Sequence, residues 1–490
     1  MSELQDLTTL VRAATPLLVI ETVDEQRVVD CFRHVIAQSL RPLWRWTLTD
    51  GLGRLDFVGG GDVAPDATAT LDAIRDATAA GIYLLFDFHP FLRYAMSLRL
   101  LREIVQRQRS AAHTVVLVGA RIELPDELEA LALRVPLSLP DLKELAGIMR
   151  GEAAAWQREY NRRLEVDNDA ARTIVRNLLG LSAPDARRIV RKLIYNDGAL
   201  GAADLPELMQ SKFDLLNRSG LLHYEYATAS FADIAGIRQV REWVRRRRAV
   251  FLAATPDPML DPPKGLLLLG VQGCGKSLAA KAIAGGFGVP LVRLDFGTLY
   301  DKYQGETEKN LREALSSAGL LAPCVLWIDE IEKALAGGGE DNGVSRRVLG
   351  YLLTWMAERK TKVFVVATAN AVQELPAELL RKGRFDEIFF VDLPRKDVRE
   401  EIFAMHLARR KLEPAGFDLP ALAAASEGFS GAEIEQAIVS ALYDAAGSGG
   451  PPDQAMLLDS LARTRPLSVL MREQVEALRA WAQDRCVAAD

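Results

Sequence analysis

Short, continuously apolar runs alternate with longer helical stretches through most of the chain. Runs of this length without polar interruptions are typical of strands that are buried on both faces of a sheet. Their alternation with helices indicates a parallel sheet covered by helices and predicts an α/β fold in both halves. The predicted strands are LLVIE at 17–21, IYLLF at 82–86, TVVLV at 114–118, LLLL at 266–269, PLVRLD at 290–295, CVLWI at 324–328 and VFVVA at 363–367.

Three short strings of the first half recur in the second half in the same order. Their separations along the chain are similar in the two halves, so we predict that the first half is a diverged copy of the second. The pairs are ELPDEL at 123–128 with ELPAEL at 374–379, VPLSLPDLKEL from Val135 with FFVDLPRKDVREEI from Phe389, and GLSAPDARRIV from Gly180 with GFSGAEIEQAI from Gly428.

A glycine-rich loop follows the leucine run. Residues 264–277 read KGLLLLGVQGCGKS and fit the pattern G-x-x-x-x-G-K-S from Gly270 to Ser277. Glycines let successive backbone N–H groups point at phosphate oxygens, and the start of the next helix adds its positive end. Lys276 is predicted to reach the β and γ phosphates, and the Ser277 hydroxyl to bind Mg²⁺. The alternative is a glycine-rich surface turn, which the buried strand before the loop does not favour.

Acidic, amide and basic side chains follow the later strands. CVLWI ends in Asp329 and Glu330, which are predicted to hold Mg²⁺ and to activate the attacking water. Asn370 lies past the next strand, where its amide would orient that water, with a turn-forming asparagine as the alternative. Arg381 and Arg384 lie on a turn that no strand of their own site would easily bring to the phosphate. They are predicted to serve a neighbouring subunit, with ordinary surface arginines as the alternative.

The first half lacks this chemistry. After LLVIE the chain reads ETVDEQRVV, without glycine, lysine or serine and with three acids that would repel phosphate. Asp87 ends a strand as a metal-binding aspartate would, but Phe88 stands where a catalytic acid is expected. A nucleotide-silent, structural or docking role is therefore predicted for this half.

The strings GVQGCGKS, LWIDE, TAN and LLRKGRFD, in this order, resemble those of the AAA ATPases over roughly 231–446. The resemblance implies ATP and Mg²⁺ as cofactors, with Ser277 and Asp329 at the metal, Glu330 as the base and Asn370 as the sensing amide. It implies nucleotide contacts from the loop, from the string FADIAG, from a histidine and from the string GFSGAE. These residues are Gly270, Gly273, Cys274, Gly275, Lys276, Ser277, Leu278, Asp233, Ile234, Ala235, His406 and Ala432.

The resemblance also implies an assembly, a ring of six subunits in which Arg381 and Arg384 act as arginine fingers in trans. A pore loop of Tyr303, Gln304 and Gly305 would grip polypeptide, although the family usually has an apolar residue where Gln304 stands. A silent copy before one active module resembles the plastid and cyanobacterial hypothetical-reading-frame AAA proteins.

These patterns predict five segments. They are a degenerate AAA-like α/β domain at 1–135, a helical lid-like region at 136–226, a large ATPase subdomain at 227–394, a helical lid at 395–448 and a tail helix at 449–490. The fold class is that of a P-loop parallel sheet with a helical lid, preceded by the diverged α/β domain.

Composition narrows the choice of partner and compartment. The chain is 49% hydrophobic and 26% charged with a formal net charge of -6, which argues against bulk nucleic-acid binding. The arginine run 245–248 is read as a solvated or inter-subunit helix face rather than a nucleic-acid patch. No apolar run approaches the roughly 18 residues of a membrane span, and the first residues do not predict a secretory signal. Four cysteines without metal spacing fit a reducing cytoplasm.

The sequence thus favours a cytoplasmic, Mg²⁺-dependent ATPase ring that remodels an unidentified protein client. A nucleotide-gated assembly scaffold that does not thread polypeptide is the first alternative. A DNA-acting motor is the second, supported by little beyond the arginine run. A fused zinc protease is not expected, because the chain contains no H-E-x-x-H.

Overall fold

The computed structural model describes residues 3–39, 41–56, 65–106, 112–217, 220–225, 229–253, 258–296, 307–335, 342–381 and 383–490. The chain forms two compact units, Met1–Ala202 and Ala203–Asp490. Each contains a mostly parallel sheet covered by helices, which confirms the predicted α/β class. Within the described ranges, no helix combines the length and the apolar character that crossing a membrane requires.

The first unit is built on a six-stranded sheet. Its strands are β1 (Leu17–Glu21), β2 (Leu43–Thr47), β3 (Gly51–Arg54), β4 (Ile82–Phe86), β5 (Thr114–Gly119) and β6 (Leu133–Arg134). Their order is β3-β2-β4-β5-β1-β6, and only the β2–β3 pair is antiparallel. The helices that accompany the sheet are α1 (Glu3–Arg12), α2 (Glu25–Ser39), α3 (Ala67–Asp76), α4 (Ala95–Gln106) and α5 (Asp126–Glu129).

A helical region completes the first unit. It consists of α6 (Leu142–Tyr160), α7 (Asn168–Asn177) and α8 (Ala183–Asp197), with the short parallel pair β7 (Glu165–Val166) and β8 (Ala199–Leu200). Each of the three helices begins at a side chain that caps its free backbone N–H groups, namely Asp141, Asp167 and Ser182.

The second unit contains a seven-stranded sheet of order β15-β14-β10-β13-β12-β11-β9. Its strands are β9 (Leu222–Glu225), β10 (Gly265–Gly270), β11 (Leu291–Leu294), β12 (Cys324–Ile328), β13 (Val363–Ala369), β14 (Glu387–Val391) and β15 (Val487–Ala488). Only β9 and β11 run antiparallel to each other.

Helices of the second unit flank the sheet and then form a lid. Those before the lid are α9 (Leu205–Leu216), α10 (Arg238–Leu252), α11 (Lys276–Phe287), α12 (Thr307–Leu321), α13 (Ile331–Leu335) and α14 (Asn342–Glu358). The lid and the segment after it contain α15 (Lys396–Arg409), α16 (Leu419–Ala425), α17 (Gly431–Ser448), α18 (Gln454–Arg463), α19 (Leu467–Leu470) and α20 (Arg472–Ala482).

The two sheets share one strand order. The parallel strands run β6-β1-β5-β4-β2 in the first unit and β14-β10-β13-β12-β11 in the second, each followed by an antiparallel edge strand. The third repeated string also matches in structure, because Gly180 and Gly428 both have positive φ (88° and 79°). Ser182 and Ser430 cap the helices that follow, α8 and α17. These correspondences support the predicted repeat.

The leucine run occupies the middle of the second sheet, and its alternate side chains enter two cores. Leu267 and Leu269 pack on the face that carries α12 and α14, while Leu266 and Leu268 pack with α10 and α11 on the other face. All four leucines are at most 1% exposed. A strand buried on both faces needs an unbroken apolar sequence, which explains why this element is readable from the sequence.

Two features differ from the predicted segmentation. The units divide at Ala202 and Ala203 rather than near 226, because α9 packs against α12 and β9 pairs with β11 in the ATPase sheet. The predicted tail helix at 449–490 is instead three helices and a strand. Of these, α18 packs into the lid core, whereas β15 joins the edge of the sheet.

The close contact of β10 with β13 leads to a test of the sheet. A Cβ at Gly265 would lie 2.3 Å from the backbone oxygen of Val365, so Gly265→Ala must push the two strands apart. We expect it to lower the free energy of unfolding of this unit by roughly 3 kcal/mol, measured by urea denaturation. Gly350→Ala, on an exposed helical turn with nothing within 4 Å, is the control and should stabilise by about 1 kcal/mol. Equal unfolding midpoints for the two variants would contradict this packing.

Candidate functional site

The loop between β10 and α11 is fixed by backbone contacts that only glycine permits. A Cβ at Gly270 would lie 2.0 Å from the backbone oxygen of Val391 on β14. Gly275 has φ of 85° and directly precedes α11, whose first turn carries Lys276 and Ser277. The N–H groups at the start of this helix are therefore presented to the cavity described below, as anion binding requires.

Lys276 lies folded against its own loop. It is 6% exposed, and its Nζ donates to the backbone oxygens of Gly270 and Val271, each at 2.8 Å. Burial lowers the pKa of Lys276 to about 8, an effect that the nearby carboxylates of Glu332, Asp329 and Glu330 oppose. The ammonium is thus held beside the loop by two hydrogen bonds. Its charged form is nevertheless less favoured than that of a lysine in water.

The carboxylate pair follows β12. The Ser277 hydroxyl lies 3.5 Å from Asp329 Oδ1, so two oxygen donors suited to Mg²⁺ converge at the end of the loop. Asp329 Oδ1 also accepts a hydrogen bond of 2.6 Å from the Thr368 hydroxyl. The same hydroxyl oxygen accepts the N–H of Glu330 at 3.0 Å. Thr368, at the end of the neighbouring strand β13, therefore fixes both acids.

Glu330 is held at both carboxylate oxygens. Oε1 accepts a 2.9 Å hydrogen bond from the Asn370 side-chain amide, and Oε2 pairs with Lys333 at 2.5 Å. Glu330 has φ of 47°, which is unusual for a residue with a side chain. This unusual backbone lies two residues past the end of β12, where the carboxylate meets the Asn370 amide.

Glu332 is a further buried acid at this edge. It is 2% exposed, and its carboxylate accepts the backbone N–H of Asn370 at 2.8 Å. Burial raises the pKa of Glu332, and the hydrogen bond from Asn370 opposes that effect. Sequence reasoning missed Glu332 and Thr368. The available signals were an acid two residues beyond Glu330 and a hydroxyl in a strand that is otherwise apolar.

A cavity of about 760 Å³ gathers most of the residues that the sequence singles out. They reach it from the loop, from the strand ends, from the 3₁₀ turn Phe231–Asp233 and from the lid. The predicted residues on its wall are Asp233, Ile234, Ala235, Gly273, Cys274, Gly275, Lys276, Ser277, Leu278, Asp329, Glu330, Asn370, His406 and Ala432. Gly270 contributes through the oxygen that receives Lys276.

The lid contacts the loop directly. The N–H of Ala432 donates to the backbone oxygen of Gly273 at 3.1 Å, and Arg409 donates to the backbone oxygen of Asp233 at 3.0 Å. His406 Nδ1 lies 3.4 Å from Glu435. Burial lowers the pKa of His406, with Glu435 opposing, which favours a neutral imidazole on the cavity wall at neutral pH.

Other predicted residues lie elsewhere. Arg381 is exposed, and Arg384 donates to the backbone oxygen of Leu353 at 2.8 Å; neither lines the cavity of its own chain. Tyr303, Gln304 and Gly305 fall outside the described residues. Their predicted roles stay predictions.

Cys274 is a poor candidate for oxidation. Burial raises the pKa of its thiol to about 12, so the reactive thiolate is scarce at neutral pH.

The cavity fits a nucleoside phosphate with Mg²⁺. Its volume lies in the range of small-molecule sites, and backbone N–H groups, Lys276 and two oxygen donors meet at one end. Among the described residues no group of three or more His, Cys, Asp or Glu side chains is placed to hold a metal. The two oxygen donors, the Ser277 hydroxyl and the Asp329 carboxylate, suit Mg²⁺, which is commonly held by few protein oxygens together with phosphates. Sheet order, phosphate loop and lid together define a P-loop nucleotide-binding module.

Comparisons with known proteins specify the family. A model described as "ATPase family associated with various cellular activities (AAA)" matches residues 266–393. Models described as the N-terminal and second domains of SpoVK-like AAA ATPases match residues 3–137 and 143–219. The chain belongs to the AAA ATPase family, as its motifs predict.

Similar proteins cover nearly the whole chain. The protein described as "Uncharacterized AAA domain-containing protein ycf46" of Pyropia yezoensis is 34% identical over 492 residues, which span 99% of this chain and 98% of the relative. The protein of the same description from Guillardia theta is 34% identical over 98% of this chain and 95% of its own. Peroxisomal ATPase pex1 of Schizosaccharomyces pombe is 34% identical over 44% of this chain and 23% of its own. The resemblance to plastid AAA proteins is thereby confirmed.

Thr368 gives the first test of the site. Thr368→Val keeps the shape of the side chain but leaves the N–H of Glu330 and a carboxylate oxygen of Asp329 without this partner. We expect a loss of about 1 to 3 kcal/mol in the free energy of unfolding, measured by urea denaturation. Thr368→Ser keeps the hydroxyl and should restore most of that loss. If Val and Ser variants are equally stable, the hydroxyl does not fix the two acids.

Lys276 gives a test by pH. Phosphate binds the protonated ammonium of Lys276. Above the pKa of about 8 most of the free protein carries a neutral Lys276, which must take up a proton when phosphate binds. ADP affinity should therefore fall above that pH, by at most about tenfold per pH unit. Lys276→Met should bind ADP more weakly and without this dependence. Fluorescence titration with a labelled ADP measures both, and a flat wild-type profile to about pH 9.5 would contradict the assignment.

Proposed function

We propose that the protein is a Mg²⁺-dependent ATPase that assembles into a ring of six subunits and uses hydrolysis to remodel a protein partner. The observation that carries the proposal is the Glu330 carboxylate, held 2.9 Å from the Asn370 amide on the wall of the phosphate-loop cavity. A carboxylate and an amide at this position are the pair that hydrolysis by an activated water requires.

The residues of the second unit have distinct parts in that reaction. Backbone N–H groups at the start of α11 and the Lys276 ammonium bind the phosphates, while Ser277 and Asp329 hold the metal. Mg²⁺ supplies positive charge against the phosphate oxygens when it is bound. Glu330 accepts the proton of the attacking water, and Asn370 orients that water. Thr368 and Glu332 keep these side chains in place through the hydrogen bonds described above.

Completion of the site by a neighbouring subunit is the second part of the proposal. Charge that develops on the transferred phosphoryl group needs a cation on its far side. Arg381 is exposed and neither Arg381 nor Arg384 lines its own cavity, which supports delivery across a subunit joint. The ring of six and the remodelling of a protein client rest on resemblance to the AAA family.

The first unit is proposed to bind no nucleotide. At its equivalent strand-to-helix connection, Asp24 Oδ1 accepts the N–H of Arg27 at 3.1 Å, so a carboxylate already occupies the start of α2. A second anion at this point would be repelled.

A reducing compartment such as the cytoplasm agrees with four free cysteines.

Mixing two inactive variants tests ATP hydrolysis and the sharing of the site between neighbouring subunits in one experiment. Glu330→Gln should keep ATP binding but lose at least about 100-fold in turnover, because it removes the base. Arg384→Ala should lose about 10³-fold in turnover while still binding ATP. When the two are mixed in equal amounts before assembly, about a quarter of the joints pair an intact Glu330 with an intact Arg384, and phosphate release should recover accordingly.

The control for this mixture replaces the Glu330→Gln subunit by the double variant Glu330→Gln with Arg384→Ala, which cannot complement. Recovery with the single variants but not with the double variant supports the shared site. No recovery in either mixture, with both proteins assembled, would show that Arg384 acts only within its own chain, where it already contacts Leu353.

A further inference from the structure

The segment Val487–Asp490 is built into the second unit beside the cavity. Val487 and Ala488 pair in parallel with Phe389 and Phe390, which adds β15 to the edge of the sheet. The N–H of Ala489 then donates to the backbone oxygen of Phe390 at 2.9 Å, and Ala489 is 2% exposed. The first three residues of the segment are therefore held by backbone pairing with β14, and Ala489 also packs in the core beneath it.

Ala489 also caps a helix. Its backbone oxygen accepts the N–H groups of Gln239 and Val240, at 3.0 and 3.4 Å, at the start of α10. The N-cap residue of α10, Ile237, supplies no side-chain hydrogen bond. The segment thus replaces the capping side chain that the local sequence lacks.

Asp490 links this edge to the lid. Its carboxylate contacts Arg395, the N-cap residue of α15, and lies 3.3 Å from Arg238. Arg238 in turn contacts Asp397 in the first turn of α15 at 3.0 Å. Because α15 is the first lid helix, the segment ties the sheet and α10 to the start of the lid.

The same residues form part of the cavity wall. Ala488, Ala489 and Asp490 line the cavity together with 390–395, the stretch that connects β14 to the lid. Arg479 on α20 pairs with Asp392 of that stretch at 2.9 Å. Any rotation of the lid about this stretch must therefore change the contacts of the segment.

We propose that Val487–Asp490 is a brace that belongs to the nucleotide site and sets the position of the lid against the sheet when a nucleoside di- or triphosphate binds. The brace rests on the proposed nucleotide site but adds residues to it that the phosphate-loop motifs do not contain. Since the coupling is reciprocal, nucleotide binding tightens the brace as much as the brace tightens nucleotide binding.

Substitution of Asp490 tests the brace through nucleotide affinity. Asp490→Arg places a cation against Arg395 and Arg238 and should raise the Kd for labelled ADP by about tenfold. Asp490→Asn, which keeps the size of the side chain, should raise it less. Asp484→Arg makes the same charge change at an exposed residue between α20 and β15, outside the segment, and should stay within about twofold of the wild type, as is usual for surface substitutions.

Hydrogen exchange in the wild-type protein tests the brace independently, because it needs no variant. Saturating ADP should slow exchange at the amides of Ala489, Gln239 and Val240 by about tenfold. Thermal melting of each variant separates folding from binding. If Asp490→Arg lowers the melting temperature but binds ADP like Asp484→Arg, or if ADP leaves those three amides unchanged, the brace is overturned. If the wild-type protein itself binds no ADP, it is the nucleotide site that fails, and the brace fails with it.

Discussion

The close approach of β10 and β14 is the constraint on which the second unit depends. Gly270 meets the backbone of Val391 at a distance that leaves no room for a side chain. Beyond this point one strand turns into the phosphate loop, and the other leads through Asp392 towards the lid. Because both segments leave the sheet from adjacent strand ends, their separation is set by hydrogen bonds of the sheet rather than by side chains. The cavity between loop and lid thus inherits its shape from backbone geometry.

The two units show what a shared fold does and does not conserve. Strand order, the positive-φ glycines and the capping serines recur in both, because they are needed to build a sheet with a helical appendage. The chemistry diverges at the strand ends. In the first unit Asp24 occupies a helix start that in the second unit follows a glycine loop. Gly119 follows Val118, which pairs with Phe86 at the end of β4, whereas Thr368, on the equivalent strand, binds both acids in the second unit. The scaffold therefore persists where the proposed catalytic residues do not.

The sequence predicts the central strands well, because strands buried on both faces must be continuously apolar. It does not reveal β9 and β15, which lie at sheet edges. β9 has four residues and is partly polar, and β15 has only two, so neither shows a distinctive period. Motif residues such as Lys276 and Asp329 are readable because their order along the chain is characteristic. Thr368 and Glu332 are not, since their roles arise from the adjacency of β12, β13 and α13. That adjacency exists only after folding.

The position of Lys276 has a consequence for the thermodynamics of ligand exchange. Its long side chain is already ordered against the oxygens of Gly270 and Val271, so its rotational entropy, about 2 kcal/mol for a lysine, is lost on folding rather than on binding. An incoming phosphate has to outcompete two backbone oxygens, and the departing phosphate leaves the ammonium with partners to return to. Release of phosphate therefore does not leave the buried ammonium without hydrogen-bond partners.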